Sequence, residues 1–318
     1  MTHTTGTVRR GAADLAEGLL THDDAELDRP FTILTHEEGS GLVERREALR
    51  PVYEAIVARI GRPTLLGGTA HGPSVRWSTA ERTLLLSGDH GGATLSVHQA
   101  KAFAQDEWSA FDSGRLPCTW QLDRHGPGED HGWTFNGHAA ADGWASCEER
   151  LAGVLASWAE HLPVQAPGDW AGFKLWASRD RGRTLLVACE PSEKNREFHA
   201  AVQDRDHEQT PERAAQMRAR GWQDVDEHRW WRATLPETDP MAAAALARLI
   251  VTDLRARGTV GPHEVTAWDI SAGDNGDLWA PGIGVDVHPR RGEHFQGPSS
   301  NGSCPEQERR KGDRCFAR

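Results

Sequence analysis

The sequence predicts an α+β protein of two tandem modules, each a small twisted antiparallel sheet covered by helices, followed by a disordered C-terminal tail. Three observations support this fold class. The length of 318 residues is typical of two domains. Segments with helical apolar spacing alternate with short strand-like segments. A motif of the first half returns in the second. With 37% hydrophobic and 26% charged residues, the chain can form a core and is neither fibrous nor wholly disordered.

In the first half, the apolar spacing predicts a helix over residues 49–60, ended by Gly61 and Pro63. Strands are predicted at 74–78, 82–87 and 93–98. No helix is recognised after residues 117–122, so the first module lacks a closing helix.

In the second half, a capping-box pattern at residues 146–149 starts a helix that Pro163 is expected to end. A shorter helix is predicted at 210–221, and the clearest helix of the chain is predicted at 239–257. The predicted strands are 170–177, 183–190, 197–203, 222–225 and 228–234, the last two forming a tight hairpin around Asp226-Glu227. The resulting order is α-β-β-β-α-β-β-α.

The internal repeat consists of two short motifs about one hundred residues apart. VRWS at 75–78 and RTLLL at 82–86 are echoed by LWAS at 175–178 and RTLLV at 183–187. We therefore predict a first module at 1–122 and a second, chaperone-like module at 146–284. A Gly/His-rich linker occupies 123–145, and the tail at 285–318 has too little apolar content to fold.

Charge and composition narrow the possible partners. A net charge of −11 argues against nucleic-acid binding and leaves basic or unfolded polypeptides as partners. The chain has no apolar run long enough to span a membrane, and its first twenty residues lack the apolar stretch of a signal peptide. Five cysteines without a CxxC pair indicate reduced thiols. We expect a cytoplasmic protein.

Signatures of catalysis are missing. GxxxxGK[ST], GxGxxG after a strand, HExxH and GxSxG are all absent, so the sequence predicts neither a catalytic residue nor a cofactor. The best metal candidate is the linker, but a Gly-rich loop does not fix ligands as a regular element does, and no metal site is predicted there. The linker residues that could act as metal ligands are His125, Glu129, Asp130, His131, His138 and Asp142.

Tryptophan is unusually abundant, with thirteen Trp against one Tyr. Trp230 and Trp231 are adjacent on a predicted strand, so their side chains point to opposite faces and one of them lies on an outer face. Together with Trp222, they are candidate anchors for a bound peptide, because Trp is enriched in interfaces. The alternative is that the outer ring packs beneath the helix at 239–257 or against the other module.

The α-β-β-β-α-β-β-α order, Gly221-Trp222, the Trp230-Trp231 pair and the following helix resemble the type III secretion chaperone-like and YbjN-like modules that occur in tandem in actinobacterial proteins. The segment 46–97, with REALRPVYEAIVARIGRPTLLGG, GPSVRW, RTLLL and ATLSV, is also similar to an uncharacterised actinobacterial domain family. The two resemblances together cover residues 30–122 and 146–258.

This resemblance implies small α+β modules that bind a peptide or partner protein on an exposed sheet or groove. We therefore expect a non-enzymatic chaperone-like or adaptor protein that recognises a polypeptide by strand addition or aromatic anchoring. A homo-oligomer is compatible with this expectation. One alternative is an immunity-type protein that neutralises a toxin. Another is a metal-dependent hydrolase that uses residues 123–142.

Overall fold

A computed structural model gives the fold and describes residues 2–22, 26–116, 118–122, 140–178, 180–191, 196–204, 208–273 and 276–287. Residues 1–288 form one compact unit. Residues 289–318, which make up most of the predicted tail, and residues 123–139 of the predicted linker lie outside the described residues.

Two helices have clear sequence causes for where they begin or end. The helix α2 (Leu42–Ile60) begins after Gly41, whose backbone N–H donates to Glu44 Oε2, and it ends at Gly61, which adopts a φ of 89°. Thr210 accepts from the Arg213 N–H at the start of the helix α5 (Pro211–Ala219). The helices are α1 (Thr2–Thr21), α2 (Leu42–Ile60), α3 (Ala100–Asp112), α4 (Trp144–Gln165), α5 (Pro211–Ala219) and α6 (Ala242–Ala256).

The described residues form two sheets, in which all strand pairs except one are antiparallel. The strands are β1 (Phe31–Thr35), β2 (Leu66–Gly68), β3 (Ser74–Ser78), β4 (Arg82–Asp89), β5 (Gly92–Gln99), β6 (Trp120–Leu122), β7 (Ala171–Ala177), β8 (Asp180–Pro191), β9 (Arg196–Gln203), β10 (Asp224–Val225), β11 (Trp230–Pro236), β12 (Val265–Ala272), β13 (Gly276–Trp279) and β14 (Asp286–Val287). The first sheet has the order β1-β5-β4-β3. The second has the order β10-β11-β9-β8-β7-β12-β13-β6-β2, and β14 pairs in parallel with β12. The predicted α+β class is confirmed.

The two halves of the chain share the second sheet. β2 and β6 come from the first half, and β6 pairs with β13. Isolated bridges from Leu65 to Arg76 and from Gly68 to Pro73 also tie the segment around β2 to β3 of the first sheet. The predicted division into modules at 1–122 and 146–284 stays a prediction.

Among the described residues, the larger hydrophobic cluster runs through both halves and includes residues of α1, α2, α4, α5 and α6, and a smaller cluster contains Phe111, Cys118 and Trp279. Tyr53 of α2 packs on Trp77 of β3 with ring centroids 6.4 Å apart, and Trp158 of α4 packs on Phe173 of β7 at 5.8 Å. Four tryptophans are among the largest fully buried side chains: Trp120, Trp158, Trp222 and Trp231. Much of the high Trp content therefore fills the core.

α3 covers the opposite side of the first sheet. Arg76, whose neighbours on β3 face α2, turns toward α3 and forms a buried bidentate ion pair with Glu107. Phe111 of α3 also packs edge-on against Trp279 of β13, at 4.8 Å. This helix directly follows β5 and was not predicted.

The predicted α-β-β-β-α-β-β-α order is confirmed in the run from α4 to α6. The expected end of the helix at Pro163 is wrong, because α4 continues to Gln165. Proline removes the N–H that would reach the carbonyl of Ala159. Arg46 of α2 donates to that carbonyl instead, and Arg50 donates to the carbonyl of Pro163.

The predicted hairpin of 222–225 and 228–234 forms in a different register. Only Asp224 and Val225 pair with β11, and four residues, not two, form the turn. Asp226 shapes this wider turn, since its Oδ1 accepts from the backbone N–H groups of His228 and Trp230. Trp222 lies before the strand, in the core.

Candidate functional site

Across strands β12, β7, β8, β9 and β11, one face of the second sheet carries no helix among the residues that the structure describes. Along β7, β8, β9 and β11, alternate side chains such as Phe173, Val187, Phe198 and Trp231 point to the core beneath α4 and α6. The intervening side chains point away from it. We call the outward-facing surface of β12, β7, β8, β9 and β11 the open face; its partly or fully exposed members include Lys174, Trp176, Leu186, Glu190, Glu197, His199, Trp230, Arg232 and Trp268.

A stacked tryptophan pair marks one end of the open face. The rings of Trp176 and Trp268 lie 5.3 Å apart with an interplanar angle of 25°, and Lys174 Nζ lies 4.8 Å from the Trp268 ring. A bulge in β12 places Asp269 in the left-handed region, with a φ of 49°, and its carboxylate accepts from Lys174. The pair is thus fixed from two strands and partly exposed.

The predicted anchors Trp222, Trp230 and Trp231 separate into core and surface. Trp222 is buried and its Nε1 donates to Asp253 Oδ1 at 3.3 Å. Trp231 is also buried, with the Arg218 guanidinium 5.9 Å from its ring centroid. Trp230 points outward, opposite Gln203, so the predicted alternation of the adjacent pair is confirmed.

Sequence reasoning missed Trp176 and Trp268. The signal for Trp176 was available, because Phe173 and Leu175 alternate inward in a predicted strand and leave Trp176 on the other face. Trp268 lies in β12, for which no strand was predicted.

Two glutamates are paired in the strand register at the other end of the open face. Glu190 of β8 is the direct cross-strand partner of Glu197 of β9. Burial raises the pKa of Glu190 to about 7. The neighbouring His199 has a lowered pKa because of burial, and its Nε2 lies 3.6 Å from Glu197 Oε2.

Small residues separate the tryptophan pair from these carboxylates. Gly172 pairs with Ala188, and Ala201 pairs with Leu186 on the next strand. An added Cβ on Gly172 would lie 2.9 Å from the carbonyl oxygen of Val187, so only glycine fits without a shift. Small side chains therefore occupy positions between the two ends of the open face.

The sheet edges offer less for strand addition. β10, at one end of the second sheet, has two residues, and β1, at one end of the first, has an irregular register between Thr32 and Leu34. A long regular edge is what an added strand needs, so the open face is the better candidate surface.

Clusters of metal ligands and reactive thiols would be alternative sites in the described part of the chain. There, no group of three His, Cys, Asp or Glu residues could hold a metal ion. Of the candidate linker ligands, only Asp142 lies within the described residues. Burial raises the pKa of Cys147 to about 11 and that of Cys118 far above its usual range, so both thiols stay protonated near neutral pH. Within the same ranges, no helix has the length and apolar character needed to cross a membrane.

Comparisons with protein-family models, with curated proteins and with solved structures found no match to this chain.

Proposed function

We propose that this chain is a non-enzymatic polypeptide-binding protein, chaperone-like or adaptor, and that its open face receives the partner. The observation that carries the proposal is the stacked Trp176–Trp268 pair on a sheet face without a described helix. Preorganised, partly exposed aromatic rings bury a large apolar area on binding and lose little side-chain entropy.

Two further observations support the proposal. Trp230 adds a third outward tryptophan at the far strand of the open face, so an extended partner would meet aromatic side chains on both flanks. The order of elements on which the resemblance to the chaperone-like modules rests is present from α4 to α6. We place the activity in the cytoplasm, in line with the free thiols of Cys118 and Cys147.

The test is capture of a stoichiometric partner from a lysate of the source organism by three baits. These are the wild type, the double variant Trp176→Ala/Trp268→Ala, and the control Trp144→Ala. Trp144 is partly exposed at the start of α4, where its Nε1 donates to the carbonyl of Val260. We expect the wild type and the control to retain the partner and the double variant to lose it at an unchanged melting temperature. Equal retention by all three baits would overturn the proposal.

The immunity-type alternative belongs to the same binding class, and the paired carboxylates of Glu190 and Glu197 favour it because they would attract a basic protein. A captured basic enzyme whose activity disappears at one equivalent of this chain would identify that role.

A further inference from the structure

We infer that Ser96 is an activated nucleophile that takes an acyl group from an ester, with His98 as its base and Asp28 as the residue that positions the base. The three residues lie on the first sheet, on the side that α3 covers. This chemistry goes beyond the proposed function, because binding of a polypeptide on the open face involves no covalent step.

The first step is the contact between the hydroxyl and the imidazole. Leu95 and Val97 of β5 belong to the hydrophobic core. The alternate residues Ser96 and His98 therefore point to the opposite side of the sheet. There, Ser96 Oγ lies 2.8 Å from His98 Nε2. A hydroxyl within hydrogen-bond reach of an imidazole is the arrangement of a nucleophile and its general base.

The second step is the contact that fixes which ring nitrogen carries the proton. Asp28 Oδ1 lies 2.6 Å from His98 Nδ1, the other nitrogen of the ring. An ionised carboxylate only accepts hydrogen bonds, so in the neutral ring Nδ1 carries the hydrogen and Nε2 has the free lone pair. The Ser96 hydroxyl therefore donates to Nε2, which is the direction that proton abstraction from a nucleophile requires.

The third step is that separate elements hold the ring and the carboxylate in place. The Phe103 ring of α3 lies 4.7 Å from the His98 ring, at an interplanar angle of 35°. Asp28 precedes β1, and its N–H donates to the carbonyl of Val97. Its backbone adopts a left-handed φ of 61°, which is uncommon for a residue other than glycine. This conformation brings the carboxylate to the imidazole.

The surroundings of the hydroxyl select the acyl group. Ser96 is 5% exposed and the His98 side chain is 16% exposed, so the acyl group should be short. Leu85, the cross-strand partner of Ser96, and Phe103, which contacts the imidazole, are both partly exposed. These two side chains offer an apolar surface to an acyl chain. The preferred donor is therefore an ester of a short aliphatic acid.

The covalent step balances with the ester as its other reactant. Ser96 Oγ forms a bond to the carbonyl carbon of the ester, and its proton moves to His98 Nε2. The bond from that carbon to the leaving oxygen breaks with its electron pair on the oxygen, which takes the proton back from Nε2. The products are an acyl ester of Ser96 and a free alcohol or phenol, and the imidazole is neutral again.

The test treats the full chain with p-nitrophenyl butyrate and locates the acylated residues by peptide mass spectrometry. The variants are Ser96→Ala, Asp28→Asn, Asp28→Glu and the control Ser87→Ala. Ser87 is a matched control because it lies on the same side of the sheet, and its Oγ lies 3.1 Å from the hydroxyl of Thr94 instead of an imidazole. The melting temperature of each variant is measured alongside the rate of acylation.

We expect the wild type and Ser87→Ala to take up one butyryl group at Ser96, and Ser96→Ala to take up none at this position. Asp28→Asn should be acylated at least about tenfold more slowly at an unchanged melting temperature, because the ring loses its fixed tautomer. Asp28→Glu retains a carboxylate and should be acylated faster than Asp28→Asn. A wild type that stays unlabelled at Ser96, or an Asp28→Asn variant that is labelled there at the wild-type rate, would overturn the inference and leave the proposed function standing.

Discussion

At the scale of single residues, His161 is the clearest buried titratable group. It lies on α4, is 1% exposed, and its Nδ1 has no hydrogen-bond partner within the described part of the chain. Burial lowers its pKa to about 4; Arg45, His90 and His36 act in the same direction, and Glu160 opposes them. The folded protein must therefore keep this ring neutral.

Because the His161 ring is buried in its neutral form, we expect the stability of the folded protein to fall in acid. Between pH 4 and pH 6.5 the unfolded chain binds a proton at this position and the folded chain does not. The contribution of the neutral His161 ring to the free energy of unfolding is fully present above pH 6.5. It is lost as the pH falls, and the loss is about 2 kcal/mol at pH 5. Urea unfolding of His161→Gln should show a weaker loss between pH 7 and pH 5. The control His228→Gln changes an exposed ring and should behave as the wild type. An undiminished loss in His161→Gln would contradict the assignment.

The titration of Glu190 changes the stability of the protein with pH in the opposite direction to that of His161. Its folded pKa of about 7 lies above the ordinary 4.5, so the stability that comes from its neutral form is complete below pH 4.5 and is lost as pH rises through 7. Glu190→Gln removes this cost. After allowance for solvent screening, we expect the variant to be about 1 kcal/mol more stable than the wild type at pH 8 and equal to it at pH 4. Denaturant midpoints at the two pH values measure the difference, and a less stable variant at pH 8 would exclude a desolvated carboxylate.

At the scale of elements, α3 is held on the first sheet by the ion pair of Glu107 with Arg76, whose side chains are 3% and 5% exposed. Glu107→Ala removes the carboxylate from a buried arginine, and losses of this kind cost about 3–5 kcal/mol. Glu26→Ala, which breaks an exposed pair with Arg29, should cost less than about 1 kcal/mol. Equal losses in the two variants would show that the buried pair does not anchor α3.

The same helix shows why part of the fold could not be predicted. α4, α5 and α6 have regular apolar spacing, and the sequence predicts all three, although α4 begins at Trp144, before the predicted capping box, and only α5 has a side-chain N-cap. α3 buries small alanines together with Glu107, whose partner lies 31 residues earlier. A charged residue that is buried by a distant partner breaks the apolar pattern. The strands β2 and β6 have three residues each, and they pair with each other and, through β6, with β13, all far apart in the chain, so little local signal marks them.

Only part of the candidate site could be predicted, because its other pairings also join distant segments of the chain. Alternation along one strand was sufficient to place Trp230 outward and Trp231 inward. Stacking of Trp176 on Trp268 depends on the pairing of β7 with β12, which are about ninety residues apart and meet only in the folded sheet. The cross-strand pairing of Glu190 with Glu197 likewise requires the register of β8 with β9, which composition does not encode.

At the scale of the whole molecule, residues 1–288 form one compact unit with a core drawn from both halves. We therefore expect one cooperative unfolding transition. In differential scanning calorimetry, the calorimetric and van't Hoff enthalpies should agree, and tryptophan fluorescence and far-UV circular dichroism should give the same midpoint. Two resolved transitions would contradict a shared core and favour modules that unfold separately.

Binding of a polypeptide at the open face is the central claim, and footprinting of tryptophan side chains tests it most directly. Hydroxyl-radical labelling of the free chain and of the complex with its captured partner is read out by mass spectrometry at each tryptophan. We predict that labelling of Trp176, Trp268 and Trp230 falls in the complex and that labelling of Trp144 stays the same. Unchanged labelling at the first three, with protection at Trp144, would place the partner elsewhere and contradict the claim.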